Sequence, residues 1–293
     1  MINFQEKVLT YPQYCRQLTC SESLITIFNC PAEARLMQNK FADLWSHENY
    51  IFYVLEGKKV WHTAQGSYEI SAGDCVLVRK GAWILEQFFD IGFCLVLFFI
   101  PDEFICDTLK NKSIPLVKKT DKAYSPVIRL NASETLRSFF TSMYAYFSST
   151  TDLDSSLLEL KFRELILNIA GDSANVEALS YFCSLVNEPQ SLSLERVMND
   201  NYCFNLKLEQ YALLSNRSLS AFKRDFQKIF CTTPGKWLME KRLLHAKFLL
   251  SNKNKQISEA AFESGFENLS HFSRAFKMRF NISPLAFKQQ PAI

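Results

Sequence analysis

The sequence predicts an α+β multidomain protein, with an N-terminal β domain, trailing helices and a C-terminal all-α domain. Three observations predict this class. Short β-branched and aromatic runs separated by turn residues fill the N-terminal half, apolar residues at helical spacing follow, and the last third contains an internal repeat. At 293 residues the chain is long enough for about two domains with hydrophobic cores of their own.

Residues 1–130 are predicted to form a β sandwich or barrel. The runs between 49 and 101 are separated by EGKK, AQGS, SAGD and RKGA, which is typical of antiparallel strands joined by tight turns. Strands at spacings of 8 to 12 residues favour a sandwich or barrel. The apolar run IGFCLVLFFI at 91–100 is too short for a bilayer, which needs about 20 residues. It therefore predicts a buried strand and no membrane contact.

The N-terminal region offers no set of residues that predicts catalysis. His47 and His62 are the only histidines among the strands, without an HxH pattern or a well-spaced Glu, so we expect ordinary polar side chains and no metal site. No Ser-His-Asp context and no glycine-rich phosphate loop is found, which predicts no catalytic residue and no cofactor. Trp61 and Trp83 could line a pocket or fill a core, and the core is the more common place for tryptophan.

The cysteine pattern and the first residues predict a cytoplasmic protein. The nine cysteines are scattered, without a CxxC, which favours small buried residues in a reducing compartment over a disulfide framework. The start MINFQEKVLTYPQYC has no basic segment followed by an apolar core, so no secretory signal is expected.

Residues 131–186 are predicted to be helical. Apolar residues at helical spacing predict helices over 134–149 and 155–171, the second ending at Gly171. In the second helix Leu158, Phe162, Leu165 and Ile169 mark an apolar face, which could pack on the β domain or form a contact between subunits. NEPQSLS at 187–193 is the predicted interdomain linker, and Ser191 or Ser193 could cap the next helix.

The charge is divided unevenly along the chain. Residues 1–189 contain 17 Lys and Arg against 22 Asp and Glu, whereas residues 190–293 contain 16 against 8. A basic domain joined to an acidic one suggests that the C-terminal region, residues 194–293, meets a polyanion. Charge alone does not decide this, because lysines also solvate the helices of ordinary soluble domains.

An internal repeat supports nucleic acid as the polyanion. FKRDFQKIFCTTP at 222–234 aligns without gaps with FSRAFKMRFNISP at 272–284, and the segments upstream align with an offset of 49. Each copy, about 206–230 and 255–280, predicts a short helix, a turn and a second helix, with Gly265 turning the second copy and Ser215 and Asn216 the first. Helix-turn-helix units place their second helix in the DNA major groove.

The segment between the copies predicts one helix over 237–252 that holds the two units apart. Adjacent major grooves on one face of B-DNA lie about 34 Å apart, so two recognition helices need a fixed separation to enter both. In the second copy Phe272, Phe276 and Phe280 recur every four residues, which predicts an apolar stripe that anchors the recognition helix to its own domain.

At these residues the sequence resembles the C-terminal domain of the AraC/XylS family of bacterial transcription regulators. The resemblance covers about 100 residues and includes R-x-x-x-A-x-x-L-L from Arg242, I-x-E-x-A from Ile257, and the tail GF…FSRAFKMRFNISP. Cys231 and Asn281 stand where the family usually has glycine, and Phe287-Lys288 where it usually has Tyr-Arg. The run YVLEGKKVW…SAGDCVLVRKGAW resembles the family's cupin-like jelly-roll sensing domain, closest to the branch of type III secretion activators, which respond to protein partners.

The resemblance implies roles for individual side chains. Arginine can bond guanine through two donors and asparagine can bond adenine similarly, while phosphates take half or more of protein–DNA hydrogen bonds. The residues expected to face bases are Ser220, Ala221, Lys223 and Arg224 in the first unit, and Asn268, Leu269, Ser270, His271 and Arg274 in the second. The residues expected to meet phosphates or only solvate the helix are Lys228, Lys277 and Arg279.

The family implies a sequence-specific regulator, expected to be an activator that contacts double-stranded DNA and RNA polymerase. It also implies an unknown small-molecule or protein effector at the N-terminal domain, and a possible homodimer through the helices of 131–186. Two alternatives remain open at this point. One is a metal-dependent cupin enzyme fused to a DNA-binding domain, and the other is an architectural protein that binds phosphates without sequence preference.

Overall fold

The structure is a computed structural model of the chain, which divides into two compact units, residues 1–192 and 193–293. The residues it describes are 1–10, 15–21, 24–29, 39–88, 92–110, 124–148, 153–187, 194–251 and 255–289. The first unit contains both the strand region and the helices that follow it. The capping candidates Ser191 and Ser193 lie outside the described residues, as does the predicted linker apart from Asn187, the last residue of a helix.

Within the described ranges, eleven strands form two sheets in the first unit. The sheets have the strand orders β1-β4-β9-β6-β7 and β11-β8-β5-β10-β3-β2, which confirms the predicted β jelly roll. Turns fall at the four predicted positions between β5 and β9. The strands are β1 Ile2–Asn3, β2 Cys15–Thr19, β3 Ile25–Asn29, β4 Phe41–Ser46, β5 Asn49–Glu56, β6 Lys58–Thr63, β7 Gly66–Ser71, β8 Cys75–Val78, β9 Gly81–Gln87, β10 Cys94–Ile100 and β11 Val127–Leu130.

Aromatic side chains fill the space between the two sheets. Trp61 and Trp83 are 3% and 2% exposed, so both belong to the core, as predicted. Trp61 stacks on Phe52 of the opposite sheet with ring centroids 5.2 Å apart, and its indole N–H donates to the hydroxyl of Tyr50 at 3.0 Å. Pairing the indole N–H in this way removes the cost of burying a polar group.

The helices between residues 102 and 187 cover the outer face of the six-stranded sheet, whereas the short helix at 4–9 packs against the core between the sheets. The ring of Phe98 in β10 packs on the ring of Phe162, with centroids 5.0 Å apart. Its neighbours Leu97 and Phe99 face the space between the sheets. Both faces of β10 are therefore buried, which explains its continuous apolar sequence. The helices are α1 Phe4–Leu9, α2 Asp102–Leu109, α3 Glu134–Ser148, α4 Ser155–Gly171 and α5 Val176–Asn187.

Helix α4 and Cys94 bear on two expectations drawn from the sequence. The apolar face of α4, from Leu158 to Ile169, is buried in the unit's own core, so these four side chains pack on the sheet and are not available to a second subunit. Cys94 is disulfide-bonded, which differs from the expectation that the cysteines are small buried residues of a reducing compartment and not part of a disulfide framework. Sequence spacing does not show which residues the fold brings within the few ångströms that a disulfide requires.

The second unit is all helical in its described residues. The predicted helices of both repeats are present, and the predicted linker helix begins one turn early because Pro234 occupies its first turn, where proline's missing N–H costs nothing. The helices are α6 Leu194–Asn201, α7 Leu208–Leu214, α8 Leu219–Phe230, α9 Pro234–Ser251, α10 Ile257–Glu263, α11 Leu269–Phe280 and α12 Pro284–Gln289.

The same local interactions shape both repeats. The backbone N–H of Lys207 donates to the side chain of Gln210 before α7, and that of Gln256 donates to Glu259 before α10, at 2.7 and 2.8 Å. The turns that follow contain Asn216 at φ 53° and Gly265 at φ +87°. Both predicted helix-turn-helix units therefore form, and the second turn uses glycine because left-handed backbone costs it no strain.

Candidate nucleic-acid interface

The first recognition helix, α8, is anchored by phenylalanine. Phe222 and Phe226 are fully buried, and Phe230 stacks on Phe226 with centroids 4.3 Å apart. Ser218 caps the start of the helix, its hydroxyl accepting from the backbone N–H of Ala221 at 3.3 Å, and Cys231 follows the last helical residue. Burying one face in this way leaves the opposite face directed at solvent.

The second recognition helix, α11, repeats this arrangement. Phe272 and Phe276 are fully buried, and Phe280 lies 4.6 Å from Phe276. The side-chain oxygen of Asn268 accepts from the backbone N–H of His271 at 2.9 Å, so Asn268 caps the helix. That oxygen is therefore engaged inside the protein, while the side chain as a whole is exposed.

Both helices end in a left-handed residue that is not glycine. Cys231 has φ 51° and Asn281 has φ 57°, at the two positions where family members usually have glycine. Both residues therefore adopt the left-handed backbone that glycine takes most easily. Left-handed backbone at a β-carbon-bearing residue costs about 1–2 kcal/mol, less for asparagine than for cysteine.

The residues expected to read bases lie in two groups, one on each recognition helix. Ala221 is half-buried, and the other eight are exposed: Ser220, Lys223, Arg224, Asn268, Leu269, Ser270, His271 and Arg274. The guanidinium of Arg224 lies 3.4 Å from the carboxylate of Asp225 and remains 76% exposed, so solvent weakens that pair. The exposure of these side chains leaves their donors accessible to a bound duplex.

The residues expected to meet phosphates have different environments. Lys228 and Lys277 are exposed. Arg279 forms two hydrogen bonds through Nε and Nη2 to Oε1 of Glu240, at 2.9 and 2.6 Å, and a third from Nε to Oε2. This pairing with α9 raises the pKa of Arg279 and lowers the pKa of Glu240. A phosphate contact by Arg279 would therefore compete with an existing ion pair.

Sequence reasoning missed one ion pair, which positions the first helix-turn-helix motif. Arg217, in the turn before α8, donates from Nε to the carboxylate of Asp225 at 3.1 Å and from Nη1 to the carbonyl of Ser215 at 2.8 Å. The first of these bonds is the main cause of the lowered pKa of Asp225. Arg217 precedes the first residue of α8, so its position relative to Asp225 depends on how the turn enters the helix, which residue spacing does not show.

The first unit contains no candidate metal centre within its described residues. His62 contacts Ser67 and Glu86 at 2.7 and 2.9 Å, which places it in a polar cluster on the sheet surface. Nowhere in the described ranges do three or more His, Cys, Asp or Glu residues come together as a group that could hold a metal ion. Nor is any helix in those ranges long and apolar enough to cross a membrane.

An all-helical unit with two helix-turn-helix motifs, attached to a jelly roll, defines a DNA-binding regulator with an N-terminal regulatory domain. Two family models match the chain, "ExsA N-terminal regulatory domain" over residues 49–181 and "Helix-turn-helix domain" over residues 211–290. Together they account for most of the sequence. The chain belongs to the AraC/XylS family of transcription regulators.

Individual proteins resemble the chain over most of its length. The virulence regulon transcriptional activator VirF of Yersinia enterocolitica is 26% identical over 236 residues, 80% of this chain and 86% of that protein. The regulator ExsA of Pseudomonas aeruginosa is 23% identical and covers 83% of this chain and 86% of its own. A solved structure of ToxT from Vibrio cholerae covers 91% of this chain and 98% of its own, at 14% identity and a TM-score of 0.36.

Proposed function

We propose that the chain activates transcription by placing α8 and α11 in two successive major grooves of one DNA site. The observation that carries this is the matched pair of recognition helices, each with phenylalanines buried and polar residues exposed at equivalent positions. The helix between them, α9, has 18 residues, which corresponds to about 27 Å. That length is of the order of the groove separation.

Base reading is proposed for the exposed residues at the start of each recognition helix. Arg224 and Arg274 occupy equivalent positions fifty residues apart, and each could bond guanine through two donors. Lys228 and Lys277 are proposed to contact phosphates, which position the protein without selecting sequence. Arg279 is proposed for the same role, in competition with its ion pair to Glu240.

Selection from a random duplex library with the purified full chain tests this proposal. Two sequence blocks about one helical turn apart are expected, whereas an architectural protein would return no motif. Arg274→Ala should relax preference in one block by roughly 1–3 kcal/mol, and Arg224→Ala in the other. If both variants instead weaken binding equally on all sequences and lower its salt dependence, the arginines hold phosphates and the base-reading assignment is wrong.

The first unit is proposed to be the control element and to act in the cytoplasm without catalysis. An effector or protein partner that prefers one arrangement of this unit would change DNA binding by its difference in affinity between the two states. Contact with RNA polymerase completes the proposed activation. Elemental analysis of the purified protein tests the enzyme alternative, since a metal-dependent enzyme would carry stoichiometric metal.

A homodimer is proposed to form through the outer face of α4. Leu157 and Leu160 are 39% and 61% exposed there, on the side opposite the buried face of the helix. An apolar pair of this kind gains free energy when a second subunit covers it. Leu160→Glu is expected to shift the protein to monomer in sedimentation velocity, with Glu159→Gln on the same helix as control. A dimer that survives Leu160→Glu would exclude this face.

A further inference from the structure

A single side chain of the linker helix bonds to both halves of the DNA-binding unit. Arg242 of α9 donates from Nε to the carbonyl of Tyr202 at 2.7 Å and from Nη2 to the carbonyl of Phe204 at 2.8 Å. Its Nη1 donates to the carbonyl of Gly265 at 3.0 Å. All three N–H-bearing nitrogens of one guanidinium are therefore used, each on a different backbone carbonyl.

The three carbonyls belong to different halves of the unit. Tyr202 and Phe204 lie in the segment between α6 and α7, which leads into the first helix-turn-helix motif. Gly265 lies in the turn between α10 and α11, immediately before the second recognition helix. Arg242 thus fixes the entrance of one motif and the turn of the other to the same point on α9.

The two halves also touch directly at this point. A β-carbon placed on Gly265 would lie 2.6 Å from the carbonyl oxygen of Cys203 and 3.0 Å from Nε of Arg242. A β-carbon contact of 2.6 Å essentially never occurs in proteins, and φ at Gly265 is +87°, so only glycine fits here without a shift. The turn of the second motif therefore packs against the backbone that precedes the first.

The chemistry of the contact requires an arginine. The guanidinium is planar and presents donors in fixed directions, whereas the lysine ammonium is a point charge on a flexible chain that cannot reach three separated carbonyls in one geometry. Burial raises the pKa of the neighbouring Cys203 thiol to about 12, so that thiol remains neutral. The charge of Arg242 is therefore stabilised by the dipoles of three carbonyl groups. Hydrogen bonds from a charged donor are stronger than those between neutral groups.

We propose that Arg242 is a positioning residue that fixes the relative placement of the two recognition helices and so sets which spacing between two DNA half-sites the protein accepts. The inference rests on the proposed reading of two grooves. It adds that α9 is not the only link between the two helix-turn-helix motifs. The motifs are also joined through the contact of Arg242 with the Tyr202–Phe204 segment and Gly265.

The DNA test compares full-chain wild type, Arg242→Lys and Gly265→Ala on the selected site and on sites with one or two base pairs added or removed between the blocks. One added base pair turns the second block by roughly 34°. Wild type is expected to bind only the native spacing well. Both variants are expected to bind it roughly tenfold more weakly and to lose most of the preference among spacings, and Arg242→Lys is expected to keep the wild-type affinity for each single block.

Arg217→Lys is the matched control, because the bonds of Arg217 to Asp225 and Ser215 both lie within the first motif. It is expected to weaken binding to the first block alone and to keep the wild-type preference among spacings. If Arg242→Lys and Gly265→Ala both fold, bind single blocks normally and keep the wild-type spacing profile, Arg242 does not position the helices.

A second measurement needs no DNA, so its result does not depend on the two-groove proposal. Spin labels attached through an unnatural amino acid at the equivalent exposed positions 227 and 277 report the distance between α8 and α11. Wild type is expected to give a narrow distance distribution, and Arg242→Lys a distribution at least twice as wide. Equal widths in a folded Arg242→Lys variant would overturn the proposal, whereas a random-library selection without two blocks would overturn the proposed function instead.

Discussion

Replacing Glu48 with glutamine is expected to stabilise the N-terminal unit above neutral pH. The side chain of Glu48 is 18% exposed and lies close to Lys80, Asp102 and Glu103. Desolvation raises its pKa to about 7, a change that Lys80 partly offsets and that the two neighbouring carboxylates reinforce. The folded state therefore holds a proton that the unfolded chain releases at its ordinary pKa of 4.5.

The magnitude follows from the difference between the two pKa values. Between pH 4.5 and 7 the unfolded state loses the proton while the folded state keeps it, so stability present at lower pH is lost as the pH rises. The full difference corresponds to about 3 kcal/mol above pH 7. Glutamine has the same shape and no charge, so the variant should exceed wild type by up to about 3 kcal/mol at pH 8 and by less than about 1 kcal/mol at pH 5.

Urea titrations followed by tryptophan fluorescence at pH 5 and pH 8 measure this difference. Three of the four tryptophans, Trp45, Trp61 and Trp83, lie in the first unit and report its unfolding. Glu56→Gln at the exposed end of β5 is the control, with an expected change below about 0.5 kcal/mol at either pH. An equal gain at both pH values, or no gain at pH 8, would refute the reasoning from desolvation.

Three further changes have expected outcomes. Lys80→Met should destabilise the first unit by about 3–5 kcal/mol in urea titrations, because its ammonium lies 2.7 Å from a carboxylate of Asp102 that would remain buried without its charge partner. Phe276→Ala should lower the free energy of unfolding of the second unit by about 3–5 kcal/mol, seen in calorimetry. Glu240→Gln should release Arg279 and increase the salt dependence of DNA affinity by about one unit of slope if that arginine contacts a phosphate.

The sequence predicted those elements that local pattern determines. The repeat predicted helices α7, α8, α10 and α11, and the turn residues between apolar runs predicted the strands from β5 to β9. Both predictions were possible because helical and strand periods are visible within single segments. The short helices α1, α2 and α12 were missed, since six to eight residues show too little periodicity. The disulfide of Cys94 depends on which residues the fold brings within bonding distance, which sequence spacing does not show.

The candidate interface was predicted through equivalence between the repeats, and its supporting contacts were not. Arg224 and Arg274 could be found because each has a counterpart fifty residues away. The bonds of Arg242 to three carbonyls depend on how α9 lies against two turns, and the pairing of Arg279 with Glu240 joins residues 39 positions apart. Such contacts follow from packing between helices, which residue spacing alone does not specify.

The ion pair between Arg217 and Asp225 exists in one motif only. In the second motif the equivalent positions hold Glu267 and Ala275, so the start of α11 is not anchored in the same way. Because the two helix-turn-helix motifs differ, reversing the protein on its DNA site would place each motif on the sequence block of the other. If the two motifs bind one site as proposed, the protein would bind in a single orientation along the DNA, and the order of the two blocks would set that orientation.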